Sequence, residues 1–127
     1  MWTKDPFAIK RIYLNALSVA TFFTLLAQER LVNAQFSRDI ETLLSKGCSW
    51  LFTDLRGVAR VRAAKCGIVN ITSGPGQLGN FRHDAGLIEN DSRRYVLVYL
   101  TRNLPMSDRL RTRFVRDLDR LVQNNQP

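Results

Sequence analysis

Several residue types on which common functional sites depend are scarce in this chain. Its 127 residues include two cysteines, Cys48 and Cys66, and one histidine, His83. These numbers exclude a disulfide scaffold and a zinc site built only from cysteine and histidine, so any metal site would also need carboxylates or water. No uninterrupted apolar run reaches the ~18–20 residues that span a bilayer. We therefore expect no membrane span, no metal and no other cofactor.

Acidic residues are also few, and the chain is basic as a result. Its 11 aspartates and glutamates stand against 19 lysines and arginines, which gives a formal net charge of +8. Hydrophobic residues make up 45% and charged residues 24%, which excludes a disordered or fibrous chain. The length predicts one domain, or a piece of a larger one. A basic surface suits nucleic acid, anionic lipid or an anionic small molecule, and composition does not choose among them.

Two helices are predicted near the start of the chain. Residues 15–30 carry a polar side chain at every third position of an otherwise apolar stretch, and Asn15 is a suitable N-cap. Residues 34–46 follow a second cap, Asn33, and have apolar side chains at helical spacing. The expected apolar face of this helix is Phe36, Ile40, Leu43 and Leu44. A connector at 48–56 should then carry two large anchors, Trp50 and Phe52.

The first of these segments has a second interpretation. Lys4, Lys10 and Arg11 could form the basic start of a signal peptide, with residues 12–27 as its apolar stretch. The regular polar strip and the lack of a small-x-small cleavage site before Gln28 favour a core helix instead. The two interpretations imply different locations for the protein. It would be cytoplasmic if the helix belongs to the core, and exported if residues 1–27 are a signal peptide.

The pattern changes to that of β-strands after Gly57. Basic side chains alternate at positions 60 and 62, and residues 95–101 are rich in β-branched and aromatic types. We predict antiparallel strands near 58–69, 80–89 and 94–101, a loop at 70–79, and a final helix at 108–124 capped by Ser107. The buried stripe of that helix is expected to be Leu110, Phe114, Leu118, Leu121 and Val122.

The fold class that results is α+β, with a three-stranded antiparallel sheet on which two N-terminal helices and a C-terminal helix pack. One domain, 1–127, would contain all of it. Its parts would be an irregular lead-in at 1–13, a helical part at 14–47, the sheet at 57–101 and the last helix at 107–124.

Three short patterns suggest chemistry, and a simpler interpretation is favoured for each. Residues 74–79 have the spacing G-x-G-x-x-G, but a strand rather than a helix follows, so a loop is favoured over a nucleotide site. Cys66 could be a nucleophile served by His83. However, Asp84 would point to the other face of the strand, so a buried cysteine and an ordinary histidine are favoured. The arginines are scattered and lack interleaved aromatic residues, which favours a solvated basic surface over a nucleic-acid site.

A sharper signal comes from two segments read together, Lys65-Cys66-Gly67 and residues 80–86. With the helix before them they resemble the C-terminal part of the penicillin-recognising serine hydrolases, the family of class A β-lactamases and related peptidases. The resemblance extends over about residues 14–122. It implies that Lys65 helps to bind the substrate carboxylate and that Gly67 lets substrate lie close to the backbone. By the same resemblance, the Ile68 N–H completes the oxyanion hole.

The resemblance also assigns an arginine on the next strand, Arg82, to the same carboxylate. If it holds, Lys65 and Arg82 should project from the same side of the sheet and share one anion. Helix 108–124 should cover one face of the sheet, and helix 15–30 should lie near the end that carries Lys65. Uncovered apolar surface is expected on the sheet or on helix 15–30.

The departures from the family pattern concern catalysis. No serine in the chain has a lysine three residues later, so the Ser-x-x-Lys nucleophile is not found and no residue is assigned as catalytic. Cys66 stands where the family has threonine or serine. We therefore predict a truncated hydrolase that keeps the carboxylate-binding wall and is inactive alone. The alternative is a non-catalytic basic module that binds nucleic acid or another anionic partner.

Partners follow from the first hypothesis. The missing N-terminal half of the domain, or a second copy of the chain, would cover the exposed apolar surface. A small anionic ligand would fit the retained wall, whereas nucleic acid is the less favoured partner.

Overall fold

In a computed structural model of the protein, residues 15–71, 79–91, 93–102 and 107–125 are described. The predicted lead-in at 1–13 and most of the predicted loop at 70–79 lie outside them. Within the described residues the elements are α1 (Ala16–Ala27), α2 (Ala34–Leu44), α3 (Leu51–Asp54), β1 (Arg60–Ile71), β2 (Gly79–Asn90), β3 (Arg93–Arg102) and α4 (Asp108–Asn124). The predicted α+β class is confirmed.

The sheet is antiparallel and has the strand order β1-β2-β3, as expected from the short connections. Its register places Lys65 opposite Ala85 and Gly67 opposite His83. A single irregularity, between Val61 and Ala63, precedes the functional part of β1. Beyond it, side chains alternate regularly between the two faces of the sheet.

Each face of the sheet is covered by different helices. One face, called the α1 face, carries Ala63, Ala85 and Leu87 and packs on Phe23 and Leu26 of α1. The other, called the α4 face, packs on α3 and α4. Its buried cluster comprises Leu51, Leu55, Ala64, Ile88, Leu97, Tyr99 and Val115. The core is therefore two clusters with the sheet between them.

The predicted helix caps are confirmed. The side-chain oxygen of Asn15 accepts from the Ser18 N–H at 2.8 Å, and that of Asn33 accepts from the Phe36 N–H at 2.8 Å. Ser107 likewise accepts from the Leu110 N–H. Each cap satisfies a backbone donor that the first helical turn leaves without a partner.

The predicted burial of α2 is only half correct. Ile40 and Leu44 pack against the core cluster on the α1 face. Phe36 and Leu43, at the same helical spacing, are 42% and 68% exposed. In the part of the chain that the structure describes, α2 packs against β1, the first strand of the sheet, and one side of the helix faces solvent.

The predicted buried stripe of α4 is only partly correct, since of its five residues Leu118 packs against the core cluster on the α4 face. Arg111, Val115 and Asp119 are the buried residues of this helix, whereas Leu110, Phe114 and Leu121 are 51%, 41% and 56% exposed. The two charged side chains, Arg111 and Asp119, point into the core because hydrogen-bond partners lie there. Arg111 pairs with the buried Asp54, and Asp119 accepts hydrogen bonds from Tyr95 and Gln123. The sequence favoured burial of the apolar side chains, because the sequence of one helix does not show which of its charged side chains have partners on other elements.

The connector between α2 and β1 also differs from its prediction. It contains the short helix α3, and its fully buried anchors are Leu51 and Leu55 rather than Trp50 and Phe52. Leu51 lies against the sheet where β2 has Gly86, and a Cβ at that glycine would come within 2.9 Å of the Leu51 side chain. The absence of a side chain at position 86 therefore lets α3 pack closely.

Candidate ligand site on the edge strand

The Lys65-Cys66-Gly67 segment lies on β1, which is an edge strand of the sheet. The Cys66 N–H points away from β2, because it donates to the Cys48 carbonyl oxygen at 2.7 Å. Backbone groups alternate in direction along a strand, so the Ile68 N–H, two residues later, points to the same open edge. A backbone donor next to a lysine on an accessible edge is a suitable arrangement for an anionic ligand.

Gly67 leaves room on this strand. A Cβ added at Gly67 would meet no atom within 4 Å, so the space above its backbone is open. Nearer the start of β1, the strand is covered by the segment that follows α2. A Cβ added at Gly47 in that segment would lie 3.0 Å from the Ala64 carbonyl oxygen. The segment between α2 and β1 thus covers β1 near Ala64 and Cys66, whereas the space above Gly67 is open among the described residues.

Cys66 forms a disulfide with Cys48, and their Cα atoms are 5.5 Å apart. Cys66 is buried, as predicted, but it is bonded to a cysteine 18 positions away in sequence, which the sequence did not indicate. The nucleophile hypothesis fails, since a disulfide sulfur is no thiolate. The pairing leaves no thiol or hydroxyl at the middle position of the segment.

A buried carboxylate lies directly below the disulfide. Asp84, opposite Cys66 in the register, is 1% exposed. It accepts hydrogen bonds from the Ser49 hydroxyl at 2.8 Å, the Trp50 N–H at 2.8 Å and the Ala85 N–H at 3.0 Å. Asp84 thereby ties the connector to β2 and does not orient His83. The sequence placed Asp84 on the face opposite His83, but did not indicate its partners on the connector.

The environment of Asp84 predicts a pH effect on stability. Burial raises the pKa of its carboxyl from 3.8 to about 6, and the hydrogen bonds it accepts offset only part of that increase. The folded state then binds the proton more tightly than the unfolded state, so this contribution to stability is present at low pH and is lost as the pH rises through 6.

We expect the stability advantage of wild type over Asp84→Asn to fall by about 1 kcal/mol between about pH 5 and pH 7. Urea unfolding of both proteins at several pH values measures this difference. The other carboxylates titrate in both proteins, so their contributions cancel in the comparison. An advantage that stays constant or grows over this range would contradict the assigned environment of Asp84.

The expected pairing of Lys65 with Arg82 is wrong. The register places Arg82 opposite Ile68, on the α4 face, whereas Lys65 lies opposite Ala85 on the α1 face. The two cations therefore project from opposite faces and do not share one anion in this geometry. The residue that lies near Lys65 on its own face is His83, opposite Gly67. Its Nδ1 accepts a hydrogen bond from the Thr101 N–H at 3.1 Å.

A groove of about 620 Å³ opens beside these residues, between α1 and the sheet. Val19, Phe22 and Phe23 form its α1 wall, and Lys65 and His83 are among its few polar side chains. The remaining residues that line it are Ser18, Leu44, Cys66, Gly67, Asp84, Ala85 and Leu100. The predicted position of helix 15–30, near the Lys65 end of the sheet, is confirmed. Among the described residues this mostly apolar groove is open, which agrees with the expected uncovered apolar surface.

This arrangement suits an anion with an apolar body. Lys65 offers a full positive charge, the Ile68 N–H offers a hydrogen bond, and the aromatic wall of α1 offers apolar surface. In the described residues, no group of three or more histidine, cysteine, aspartate or glutamate side chains could hold a metal ion. No helix among those residues is long and apolar enough to cross a membrane.

The sequence itself decides the family. A sequence model described as the beta-lactamase enzyme family matches residues 8–125, which is most of the chain. The chain belongs to the β-lactamase enzyme family. The resemblance drawn from Lys65-Cys66-Gly67 is thereby confirmed at the level of the family, and the fold is consistent with part of a β-lactamase domain. No curated protein and no solved structure matches the chain significantly.

Proposed function

We propose that this chain is a truncated portion of a β-lactamase-family serine hydrolase that keeps part of the ligand-binding wall and does no hydrolysis alone. The observation that carries the proposal is the Cys48–Cys66 disulfide. It occupies the position where the resemblance places a threonine or serine hydroxyl, so no such group can bind substrate there. The lack of a serine followed by lysine at three residues supports the same conclusion, because acyl transfer needs an activated nucleophile.

The retained wall consists of Lys65, Gly67 and Ile68. A ligand carboxylate would contact the Lys65 ammonium group, and the ligand backbone would lie along the open edge of β1 over Gly67. Its apolar part would fill the groove between the sheet and α1. Arg82 was assigned to this wall by resemblance, but the strand register places it on the opposite face of the sheet, so the proposal does not include it. Cys66 contributes only backbone, because its sulfur is bonded to Cys48.

The first test of this proposal is catalytic. We expect the purified chain to leave a chromogenic cephalosporin intact and to form no covalent adduct with a labelled penicillin, since no residue is available to form an acyl-enzyme. Absorbance at the wavelength of the opened cephalosporin and intact-protein mass spectrometry measure the two outcomes. An active class A β-lactamase in parallel samples is the positive control. A stoichiometric acyl-protein would show that the chain has a nucleophile and would refute the proposal.

The second test concerns binding. We expect Lys65→Ala to weaken the binding of benzylpenicillin by about tenfold, because a charge-assisted hydrogen bond to the carboxylate is lost. Ligand-observed NMR titration measures the affinity. Lys46→Ala removes the same charge from an exposed site at the end of α2 and should leave the affinity unchanged. The methyl ester of the ligand should bind wild type and Lys65→Ala equally well. Equal weakening by both alanine variants would contradict a specific role of Lys65.

The alternative function, a basic module that binds nucleic acid, has less support. Several arginines are engaged within the protein rather than presented together. Arg93 donates to the Val122 and Asn125 carbonyl oxygens, and Arg116 donates to the Asp54 carbonyl oxygen. Tight binding of duplex DNA at physiological salt, with a steep loss as salt is raised, would favour this alternative.

A further inference from the structure

The groove between α1 and the sheet has a largely apolar wall. Phe22 and Phe23 of α1 form one side of it, with their rings edge-on and 5.3 Å between the centroids. Leu44 of α2 and Leu100 of β3 also line the groove, and Leu100 is 36% exposed. The groove volume of about 620 Å³ is within the range of small-molecule sites. The body of a ligand in this groove would therefore meet mainly hydrocarbon.

The polar side chains that line the groove are mostly engaged within the protein. The Ser18 hydroxyl donates to the Asn15 side-chain oxygen at 3.1 Å, and His83 Nδ1 accepts from the Thr101 N–H at 3.1 Å. Asp84 is 1% exposed, and its oxygens accept hydrogen bonds from the connector. These groups offer little to a carbonyl or an amide in the body of a ligand. Such a group would lose its hydrogen bonds to water without gaining equivalent ones.

Lys65 is the exception among these polar side chains. It is exposed, and its ammonium group forms no ion pair with any residue that the structure describes. Lys65 lies on β1, whereas Leu100 lies on β3, so the groove crosses the sheet from a cationic end to an apolar end. Two steps between neighbouring strands make that distance about 10 Å. A positive charge at one end and hydrocarbon at the other match a carboxylate with an aliphatic tail.

We propose that the groove binds an unbranched aliphatic monocarboxylate, that is, a free medium-chain fatty acid. The carboxylate contacts the Lys65 ammonium group, and the hydrocarbon tail crosses the sheet beside α1 toward Leu100. Each methylene group that leaves water adds affinity, because the walls that it meets are apolar. The inference rests on the proposed function, since it uses the same lysine, and it narrows the ligand to a class without polar groups in its body.

The test uses the full chain and isothermal titration calorimetry with octanoate, decanoate and decylammonium, each below its micelle concentration. We expect decanoate to bind at least about fourfold more tightly than octanoate, because two more methylene groups are buried. Decylammonium should bind at least about tenfold more weakly than decanoate, because it brings a like charge to Lys65. Benzylpenicillin, which carries amide groups, should also bind about tenfold more weakly than decanoate.

Matched variants locate the tail and the carboxylate. Phe22→Ser should weaken decanoate binding by about tenfold, whereas Phe36→Ser, which changes a phenylalanine of α2 outside the groove, should bind like wild type. Lys65→Ala should weaken the binding by about tenfold, and Lys46→Ala should leave it unchanged. NMR of the wild type does not depend on a variant that folds. In it, nuclear Overhauser effects should connect the decanoate tail with the Phe22 and Phe23 rings.

Equal binding of decanoate and decylammonium, or tail contacts only outside the groove, would overturn the proposal. So would self-association of the chain that Phe22→Ser abolishes, because a second copy would then occupy the groove. Benzylpenicillin binding that depends on Lys65, without any such binding of decanoate, would refute the aliphatic ligand and leave the proposed function intact. Loss of the Lys65 dependence for both ligands would refute the retained carboxylate-binding wall as well.

Discussion

Reduction of the Cys48–Cys66 disulfide should lower the free energy of unfolding by about 3 kcal/mol. The bond joins cysteines 18 positions apart and so limits the conformations of the unfolded chain, which is the main source of stabilisation in the chain-entropy account. It also holds the connector beside β1, where the Cys48 carbonyl oxygen accepts the Cys66 N–H. Guanidinium chloride unfolding with and without a thiol reductant measures the difference.

The control for this prediction is the double variant Cys48→Ser/Cys66→Ser. It should be as unstable as the reduced wild type, and added reductant should not change its unfolding midpoint. A wild type whose unfolding midpoint is the same with and without reductant would contradict the prediction. Alkylation of the protein before and after reduction, followed by mass spectrometry, shows whether the disulfide was formed. Two thiols that become accessible only after reduction, with an unchanged unfolding midpoint, would mean that the disulfide forms but does not stabilise the fold.

The disulfide also bears on where the protein works. α1 buries Phe23 and Leu26, so it is a core helix, the alternative under which the sequence predicted a cytoplasmic protein. Disulfides are typical of oxidising compartments and are rare in the reducing cytosol. The burial of α1 thus agrees with the cytoplasmic alternative, and the Cys48–Cys66 bond agrees with the exported one.

Arg111→Met should lower the free energy of unfolding by about 3–5 kcal/mol, because it leaves the Asp54 carboxylate buried without its charge partner. Asp54 is fully buried and accepts from Arg111 Nε at 2.8 Å and from Arg111 Nη2 at 3.1 Å. The same guanidinium lies 5.2 Å from the Trp50 ring centroid. This pair joins α3 to α4. Thermal and denaturant unfolding measure the loss.

Two further variants test whether the loss of stability comes from the unpaired buried charge. Arg113→Met removes an arginine that is 82% exposed and 3.8 Å from Asp117, so it should cost less than about 1 kcal/mol. The double variant Arg111→Met/Asp54→Leu should recover much of the stability lost in Arg111→Met, since no unpaired charge then remains. Equal destabilisation by Arg111→Met and Arg113→Met would show that the buried Arg111–Asp54 pair stabilises the fold no more than the exposed Arg113–Asp117 pair.

The sequence by itself determined the three longer helices, the three strands and the family of this protein. Local signals were sufficient for the helix starts: Asn15, Asn33 and Ser107 each cap the helix they were expected to cap. The strands also followed from local composition, and tight connections made them antiparallel. Lys65-Cys66-Gly67 and the segment that contains Arg82 indicated the β-lactamase family. A short motif consists of adjacent residues, so it can be identified without knowing which residues it contacts in the fold.

Only the tertiary structure decided how these elements meet. A shift of one residue in strand register exchanges the faces of the sheet, and the observed register separates Lys65 from Arg82 and places His83 beside Lys65. The same holds for groups whose partners lie far away in sequence. Cys66 finds Cys48, and Arg111 turns into the core to meet Asp54. Side-chain polarity predicts burial only on average, and a long-range partner reverses that preference because it supplies the hydrogen bonds that water would otherwise provide.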